Sequence, residues 1–142
     1  GHVDIINRAI PLFDKIVVGV GLNSAKSPMF SADQRIEWIR DIYRGNTKVE
    51  AAAYEGLTID YCKQIGAHFI LRGIRYVSDF EYEKTIADAN RTLDNSIETI
   101  FLTGEPKYTS VASTIVRDII RNGGNASPFL TDVVFQSLPH KS

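Results

Sequence analysis

The sequence predicts an α/β domain in which a doubly wound parallel sheet carries helices on both faces. Two observations support this fold class. Runs of β-branched and apolar residues alternate along the chain with segments whose apolar residues recur at helical spacing. The predicted strands also lack the apolar and polar alternation of a sheet with one wet face, as is typical of strands buried on both faces. Strands separated by helices favour right-handed crossovers and parallel pairing.

The first elements along the chain follow from local patterns. Apolar residues at helical spacing predict a helix over 3–13, in which Pro11 marks a kink or an early end. The β-branched, apolar run 15–22 predicts a buried strand. Ser31 and Gln34 have the spacing of a capping box, so a second helix is expected to begin there.

The rest of the chain continues the alternation. Further strands are predicted over 47–52, 68–71 and 97–102. A helix over 57–65 is followed by Gly66, which is placed to end it. A longer helix is predicted over 79–93, and Ser113 or its neighbour is expected to cap the next one. A last short helix is predicted over 131–137.

Composition sets the broad class of protein. The 142 residues correspond to a single domain, with 44% hydrophobic and 23% charged residues. The formal charge of -1 argues against general binding to nucleic acid or to an anionic membrane. No apolar run approaches the roughly 20 residues of a membrane span. The lone cysteine, Cys62, is expected to pack in the core, and the chain is expected to stay in the cytoplasm.

The middle of the chain carries a candidate binding site. An apolar run over 69–71 ends at Arg72 and Arg75, with Gly73 between them. Ligands of parallel sheets bind beyond the carboxyl ends of the strands, and guanidinium groups suit phosphate oxygens. Gly73 would let backbone or ligand come close. Alternatively, the arginines could simply form surface ion pairs with three acidic residues of the next helix: Asp79, Glu81 and Glu83.

Other segments are expected to reach the same edge of the sheet. Lys26 follows the first predicted strand, His2 lies at the start of the first helix, and Ser113 and Thr114 begin a later helix. Cations, a histidine and a helix N-terminus at one edge would suit a polyphosphate. Taken singly, each has an ordinary interpretation as a terminal, loop or capping residue. No Walker loop, dinucleotide fingerprint or zinc-ligand spacing is present in the sequence.

Six segments in the order of the chain form a recognisable set of motifs: Gly1-His2-Val3-Asp4-Ile5-Ile6, Lys26-Ser27-Pro28-Met29-Phe30, Arg72-Gly73-Ile74-Arg75, Asp79-Phe80-Glu81-Tyr82-Glu83, Asn90-Arg91 and Ser113-Thr114-Ile115-Val116-Arg117. They resemble motifs of the nucleotidyltransferase superfamily, and of bacterial phosphopantetheine adenylyltransferases in particular. The resemblance covers essentially the whole chain.

The resemblance implies a Rossmann-like nucleotidyltransferase fold and the transfer of AMP from ATP to 4'-phosphopantetheine, with Mg²⁺ on the phosphates and a homohexameric assembly. It implies catalytic roles for His2, Lys26 and Arg72. The residues it implies for ATP are His2, Arg72, Gly73, Arg75, Glu83, Ser113 and Thr114. Those it implies for phosphopantetheine are Lys26, Leu57, Thr58, Arg72 and Asn90.

The sequence departs from the family pattern at three places. The family's first strand and its P-G-[ST]-F-D-P turn are absent ahead of Gly1, so that 1–142 is expected to form one domain without this strand. Ala112 stands where the family usually has serine, and Asp118 stands where glutamate is common. Two alternatives remain: a nucleotidyltransferase for another substrate, such as nicotinate mononucleotide, and a nucleotide-binding module without catalysis.

Overall fold

The computed structural model describes residues 1–23, 27–109 and 111–139. Helices and strands alternate along the chain, which confirms the predicted α/β class. The strands are β1 (Ile16–Gly21), β2 (Val49–Tyr54), β3 (Phe69–Ile74) and β4 (Glu98–Thr103). The α-helices are α1 (His2–Ala9), α2 (Ala32–Ile42), α3 (Thr58–Ile65), α4 (Val77–Leu93), α5 (Ser113–Arg121) and α6 (Asp132–Ser137).

All strand pairing in the described residues is parallel, as predicted. β1 pairs with β2, with Ile16 opposite Val49, and β3 pairs with β4, with Phe69 opposite Glu98. The result is two sheets of two strands each, whereas the sequence predicted one continuous sheet. Within the described ranges β1 pairs only with β2, and β3 pairs only with β4. Strands β1 and β3 therefore each have one unpaired edge in that part of the chain.

Local signals explain several helix ends. The hydroxyl oxygen of Ser31 accepts a hydrogen bond from the backbone N–H of Gln34 at 3.1 Å, which confirms the cap of α2. Gly66 ends α3 in the left-handed region with φ of 72°. Ser113 was the first candidate for the N-cap of α5, but in the structure it is the first residue of the helix itself. Its neighbour Ala112 occupies the N-cap and has no side-chain oxygen to accept a hydrogen bond.

The core consists of two small clusters of buried side chains. Val20, Ile36 and Ala51 pack where α2 covers β1 and β2. The second cluster joins α3 to the start of β4 and contains Ile59, Cys62 and Ile97. The packing role predicted for Cys62 is therefore confirmed.

The prediction that the third strand is covered on both faces is wrong. Phe69, at the start of β3, is 52% exposed, although its ring lies 5.9 Å from that of Phe13. The helix that follows, α4, has no buried residue among its 17 residues. An apolar sequence run does not reveal how much of its surface other elements cover. Neither α4 nor any other helix in the described ranges is long and apolar enough to cross a lipid bilayer.

Candidate active site

Arg72 and Arg75 lie at the carboxyl end of β3. This strand is three residues longer than predicted at this end, because β3 stays paired with β4 as far as Ile74, which lies opposite Thr103. Arg72 therefore projects from the strand itself, and Arg75 is the first residue after it. The two cations leave the sheet at its ligand-binding edge, as expected for a parallel α/β fold.

Arg72 forms a two-pronged ion pair with Glu83 of α4. Its Nε and Nη2 donate to the two carboxylate oxygens of Glu83 at 2.8 and 2.7 Å. The Glu83 side chain is only 12% exposed, whereas that of Arg72 is 51% exposed. The hydrogen bond to Glu83 raises the pKa of Arg72. Since the pair uses two of the five guanidinium N–H donors, the outward side of Arg72 can offer others to an anion.

Arg75 links the end of β3 to the segment that leads into α5. Its Nη1 donates to the carbonyl oxygen of Val111 at 3.1 Å, and its Nε lies 3.4 Å from the Asp79 carboxylate. The backbone N–H groups of Arg75 and Tyr76 also donate to Asp79, at 3.0 and 3.2 Å. These hydrogen bonds and the charge of Arg75 lower the pKa of Asp79. The ion-pair alternative is thus observed for both arginines, with Glu83 and Asp79 as partners.

His2 is the first residue of α1 and lies within electrostatic reach of both arginines. His2 is an exposed residue, but partial desolvation of its ring is the main factor that lowers its pKa, and the positive charges of Arg72 and Arg75 lower it further. A lowered pKa keeps the imidazole neutral at pH 7, and a neutral imidazole still has one N–H to donate. Ile5 of the same helix lies close to Gly73, between the two arginines, so among the residues named from the sequence His2, Arg72 and Arg75 lie near one another.

Gly73 allows α1 to approach β3 closely. A Cβ atom added at Gly73 would lie 3.1 Å from Cγ1 and 3.4 Å from Cδ1 of Ile5 in α1. Any larger residue at position 73 would press on the helix that carries His2. Gly73 thus has a packing role in addition to the ATP contact that the resemblance implies.

Ser113 and Thr114 form the start of α5, two residues beyond Val111. The N-cap residue Ala112 makes no side-chain hydrogen bond to the first turn. Helix N-termini of this kind present N–H groups and the positive end of the helix dipole to an anion. The Thr114 hydroxyl accepts a long hydrogen bond of 3.4 Å from Arg117. The Arg75 contact with Val111 places this helix start near the end of β3.

The residues implied for the pantetheine arm are more widely spread. Leu57 is 55% exposed just before α3, and the Thr58 hydroxyl lies 2.8 Å from that of Tyr54. A cavity of about 510 Å³ has Leu22, Pro28, Arg35 and Gly56 in its wall, and Gly56 is the residue before Leu57; Leu57 and Thr58 themselves do not line it. Asn90 lies seven residues beyond Glu83 on α4, hence on the same helix face about 10 Å further along. Lys26 lies outside the described residues.

Two residues of α1, Asp4 and Arg8, were given no role in the sequence analysis. In the structure they bind each other and the segment that follows β4. Their spacing could have predicted the ion pair, because an acidic residue four positions before an arginine on a helix is placed to pair with it. Nothing in the spacing reveals the contact with β4, which depends on the tertiary fold.

The described residues contain no group of three or more His, Cys, Asp or Glu side chains that could hold a metal ion. This donor set does not fit a Mg²⁺ site made of protein side chains alone. The Mg²⁺ implied by the resemblance would instead be held mainly by substrate phosphates and water. That expectation stays a prediction.

Comparison with known proteins agrees with this geometry. The family model described as cytidylyltransferase-like matches residues 1–119. Parallel strands with a histidine and two arginines at one sheet edge, together with this match, define a domain of the nucleotidyltransferase class.

Curated relatives narrow the class to a family. The chain is 49% identical to the phosphopantetheine adenylyltransferase of Flavobacterium psychrophilum over 134 residues, which cover 94% of the chain and 88% of that protein. It is 44% identical to the enzyme of the same name from Leptospira biflexa over 141 residues, or 99% of the chain and 88% of that protein. The chain belongs to the phosphopantetheine adenylyltransferase family. The resemblance and the enzyme class predicted from the motifs are confirmed.

Proposed function

We propose that this chain transfers the adenylyl group of ATP to 4'-phosphopantetheine, giving dephospho-coenzyme A and pyrophosphate in coenzyme A biosynthesis. Family membership supports the reaction and its substrates. The structural observation that carries the proposal is the shared position of His2, Arg72 and Arg75 at the carboxyl end of β3. Such a site suits the charge that develops on phosphate oxygens.

The chemistry needs no protein nucleophile. An oxygen of the 4'-phosphate attacks the α-phosphorus of ATP in line, and the bond from this phosphorus to the bridging oxygen of the β-phosphate breaks. The electron pair of that bond leaves with pyrophosphate. The protein contributes by positioning the two phosphates and by stabilising the charge of the transition state.

The three catalytic residues divide two tasks between them in this proposal. His2 donates a hydrogen bond from its neutral imidazole to an oxygen of the α-phosphate. Arg72 and Lys26 bind the attacking phosphate and stabilise the charge of the transition state. The ion pair with Glu83 supports this role of Arg72, because it fixes the orientation of the guanidinium group.

The leaving pyrophosphate is assigned to the side of the site away from the attacking phosphate. Arg75, Ser113 and Thr114 would bind the β- and γ-phosphates, together with the backbone N–H groups at the start of α5. Gly73 and Glu83 would lie on the ATP side of the pocket. Because both carboxylate oxygens of Glu83 are taken by Arg72, its contribution is expected to act mainly through that arginine.

The pantetheine arm is assigned to Leu57, Thr58 and Asn90, as the family resemblance implies. The exposure of Leu57 and the cavity of about 510 Å³ beside Gly56 support this assignment. Mg²⁺ would arrive with ATP and neutralise phosphate charge. We also infer a homohexamer in the cytoplasm by resemblance to the family, and light scattering of the purified protein tests the assembly.

One assay tests the proposed reaction. The protein is incubated with ATP, Mg²⁺ and either 4'-phosphopantetheine or nicotinate mononucleotide, and pyrophosphate release is followed. We expect pyrophosphate release with phosphopantetheine and none with nicotinate mononucleotide. Loss of this release in His2→Ala would show that the reaction takes place at this site. Absence of release with phosphopantetheine would contradict the proposal. ATP binding without turnover would indicate a binding module instead.

A further inference from the structure

Asp4 and Arg8 form an ion pair on the helix that carries His2. The Nε of Arg8 donates to Oδ1 of Asp4 at 3.2 Å, and its Nη2 donates to Oδ2 at 3.0 Å. The side chain of Asp4 is 15% exposed and that of Arg8 is 38% exposed. Asp4 lies two residues after His2, within the first turn of α1.

The same two side chains join α1 to the end of β4. Nη2 of Arg8 donates to the carbonyl oxygen of Thr103, the last residue of β4, at 2.5 Å. The backbone N–H of Glu105 donates to Oδ2 of Asp4 at 3.3 Å. These partners lie about a hundred residues from α1 along the chain, so the contacts fix a tertiary position as well as the helix itself.

Gly1, the N-cap residue of α1, provides no side-chain hydrogen bond to the first turn. Asp4 lies in this turn, so its hydrogen bonds with Arg8 and Glu105 can hold the turn in place. On the side facing α2, Tyr43 donates to the carbonyl oxygen of Val3 at a long 3.4 Å.

We propose that the Asp4–Arg8 pair is a positioning device for His2. It holds the first turn of α1 against the end of β4, and thereby keeps His2 near the end of β3, where Ile5 of the same helix lies close to Gly73. Neither Asp4 nor Arg8 contacts substrate in this role. The inference rests on the proposed function, since it assigns His2 to the α-phosphate.

The two ways in which this pair could matter have different consequences. A partly exposed ion pair contributes little to the stability of a folded protein. A shift of about 1 Å in a catalytic group, by contrast, can lower a rate about 100-fold. A positioning role therefore predicts a large loss of rate with a small loss of stability.

The first test is the Asp4→Ala variant of the whole chain. We expect kcat to fall about 10- to 100-fold, while KM for ATP and phosphopantetheine stays within about twofold. The matched control is Asp88→Ala, which breaks the pair between Lys84 and Asp88, of the same spacing and 2.8 Å long, on α4. An unchanged kcat in Asp4→Ala, or an equal fall in both variants, would overturn the inference.

A double-mutant cycle separates positioning from a general structural effect. If Asp4 acts through His2, adding Asp4→Ala to His2→Ala should lower kcat little further. If Asp4 supports the fold independently of His2, the fold-reduction of kcat in the double variant should equal the product of the reductions in the two single variants. Multiplying losses would therefore refute the positioning role.

A second readout does not depend on turnover. The protein has three histidines, and the His2 ring signal in an NMR spectrum is the one lost in His2→Ala. Removal of charge alone should move this signal in opposite directions in Asp4→Ala and Arg8→Ala. Loss of position should move it in the same direction in both. Opposite shifts or no shift would contradict the inference even if the wild-type enzyme is active, whereas an inactive wild type with concordant shifts would contradict only the proposed function.

Discussion

Both carboxylate oxygens of Glu83 accept hydrogen bonds from Arg72, so a residue of α4 fixes the orientation of the main cation of the site. The pair joins a strand residue to a helix residue eleven positions later. Glu83 is largely shielded, and Arg72 remains half exposed toward the sheet edge. This is the arrangement expected where one partner serves to hold the other for a ligand.

The first prediction concerns Arg72 itself. In Arg72→Ala, we expect kcat to fall by several orders of magnitude, because the charge that holds the attacking phosphate is lost. The loss of stability should be small beside this loss of rate, because Arg72 itself is half exposed, although Glu83 is left without its partner. Steady-state kinetics and a thermal melt give the two numbers. A large stability loss with a modest rate loss would show that the pair is structural.

Glu83→Gln distinguishes two roles for the acidic partner. The substitution keeps the shape of the side chain but removes its charge, so Arg72 should be held less firmly. If Glu83 acts through Arg72, we expect kcat to fall about tenfold with little change in KM for ATP. A raised KM for ATP with unchanged kcat would instead indicate direct contact with the nucleotide. Glu81→Gln, on the same helix, provides the control.

The fold class and the location of the site could be read from the sequence. Alternating helix and strand patterns predicted parallel pairing, and the run ending at Arg72 predicted cations at a strand end. The sequence could not show which of the three acidic residues Asp79, Glu81 and Glu83 pairs with Arg72. This pairing depends on where α4 begins and how it lies on β3, and α4 begins at Val77, two residues earlier than predicted.

Burial and strand neighbours were the least predictable features. The apolar residues at 69–71 predicted a fully covered strand, yet Phe69 is exposed because coverage depends on elements distant in the sequence. The contacts of Asp4 and Arg8 with the end of β4 have the same origin. Sequence spacing reports local structure, whereas these features arise from how the elements pack.

The lowered pKa of His2 predicts a dependence of stability on pH. Its pKa in the folded chain lies below the ordinary value of about 6.5, so in the interval between these values the unfolded chain binds more protons. Stability should therefore fall as the pH is lowered through this interval. His2→Gln should lose less stability over the same range, as measured by urea midpoints between pH 8 and pH 5.

The comparison between wild type and His2→Gln removes the effect of other groups. Asp4 and Asp79 also titrate with a lowered pKa, but they lose their stabilising contribution at lower pH and do so in both proteins. The difference between the two curves thus reports His2. Parallel curves would contradict the lowered pKa of His2.

The last prediction concerns the contact between Gly73 and Ile5. In Gly73→Ala the new methyl group would lie 3.1 Å from Cγ1 of Ile5, closer than carbon atoms normally approach. Overpacking of this kind costs about 1–3 kcal/mol, and it should push α1, with His2, away from β3. We therefore expect a lower urea midpoint and a lower kcat. Gly104→Ala is the matched control, because its methyl group would meet Arg75 at an ordinary 3.7 Å.

The double variant Gly73→Ala with Ile5→Ala shows whether this contact is the cause. Ile5→Ala removes the atom that the new methyl group would meet, although it also removes apolar packing of its own. If the clash is responsible, the double variant should be more stable than the sum of the two single losses predicts. Simple addition of the losses would mean that Gly73→Ala acts elsewhere, for example on strand β3 itself. Recovery of kcat together with stability would show that the position of α1 on β3 sets the position of His2.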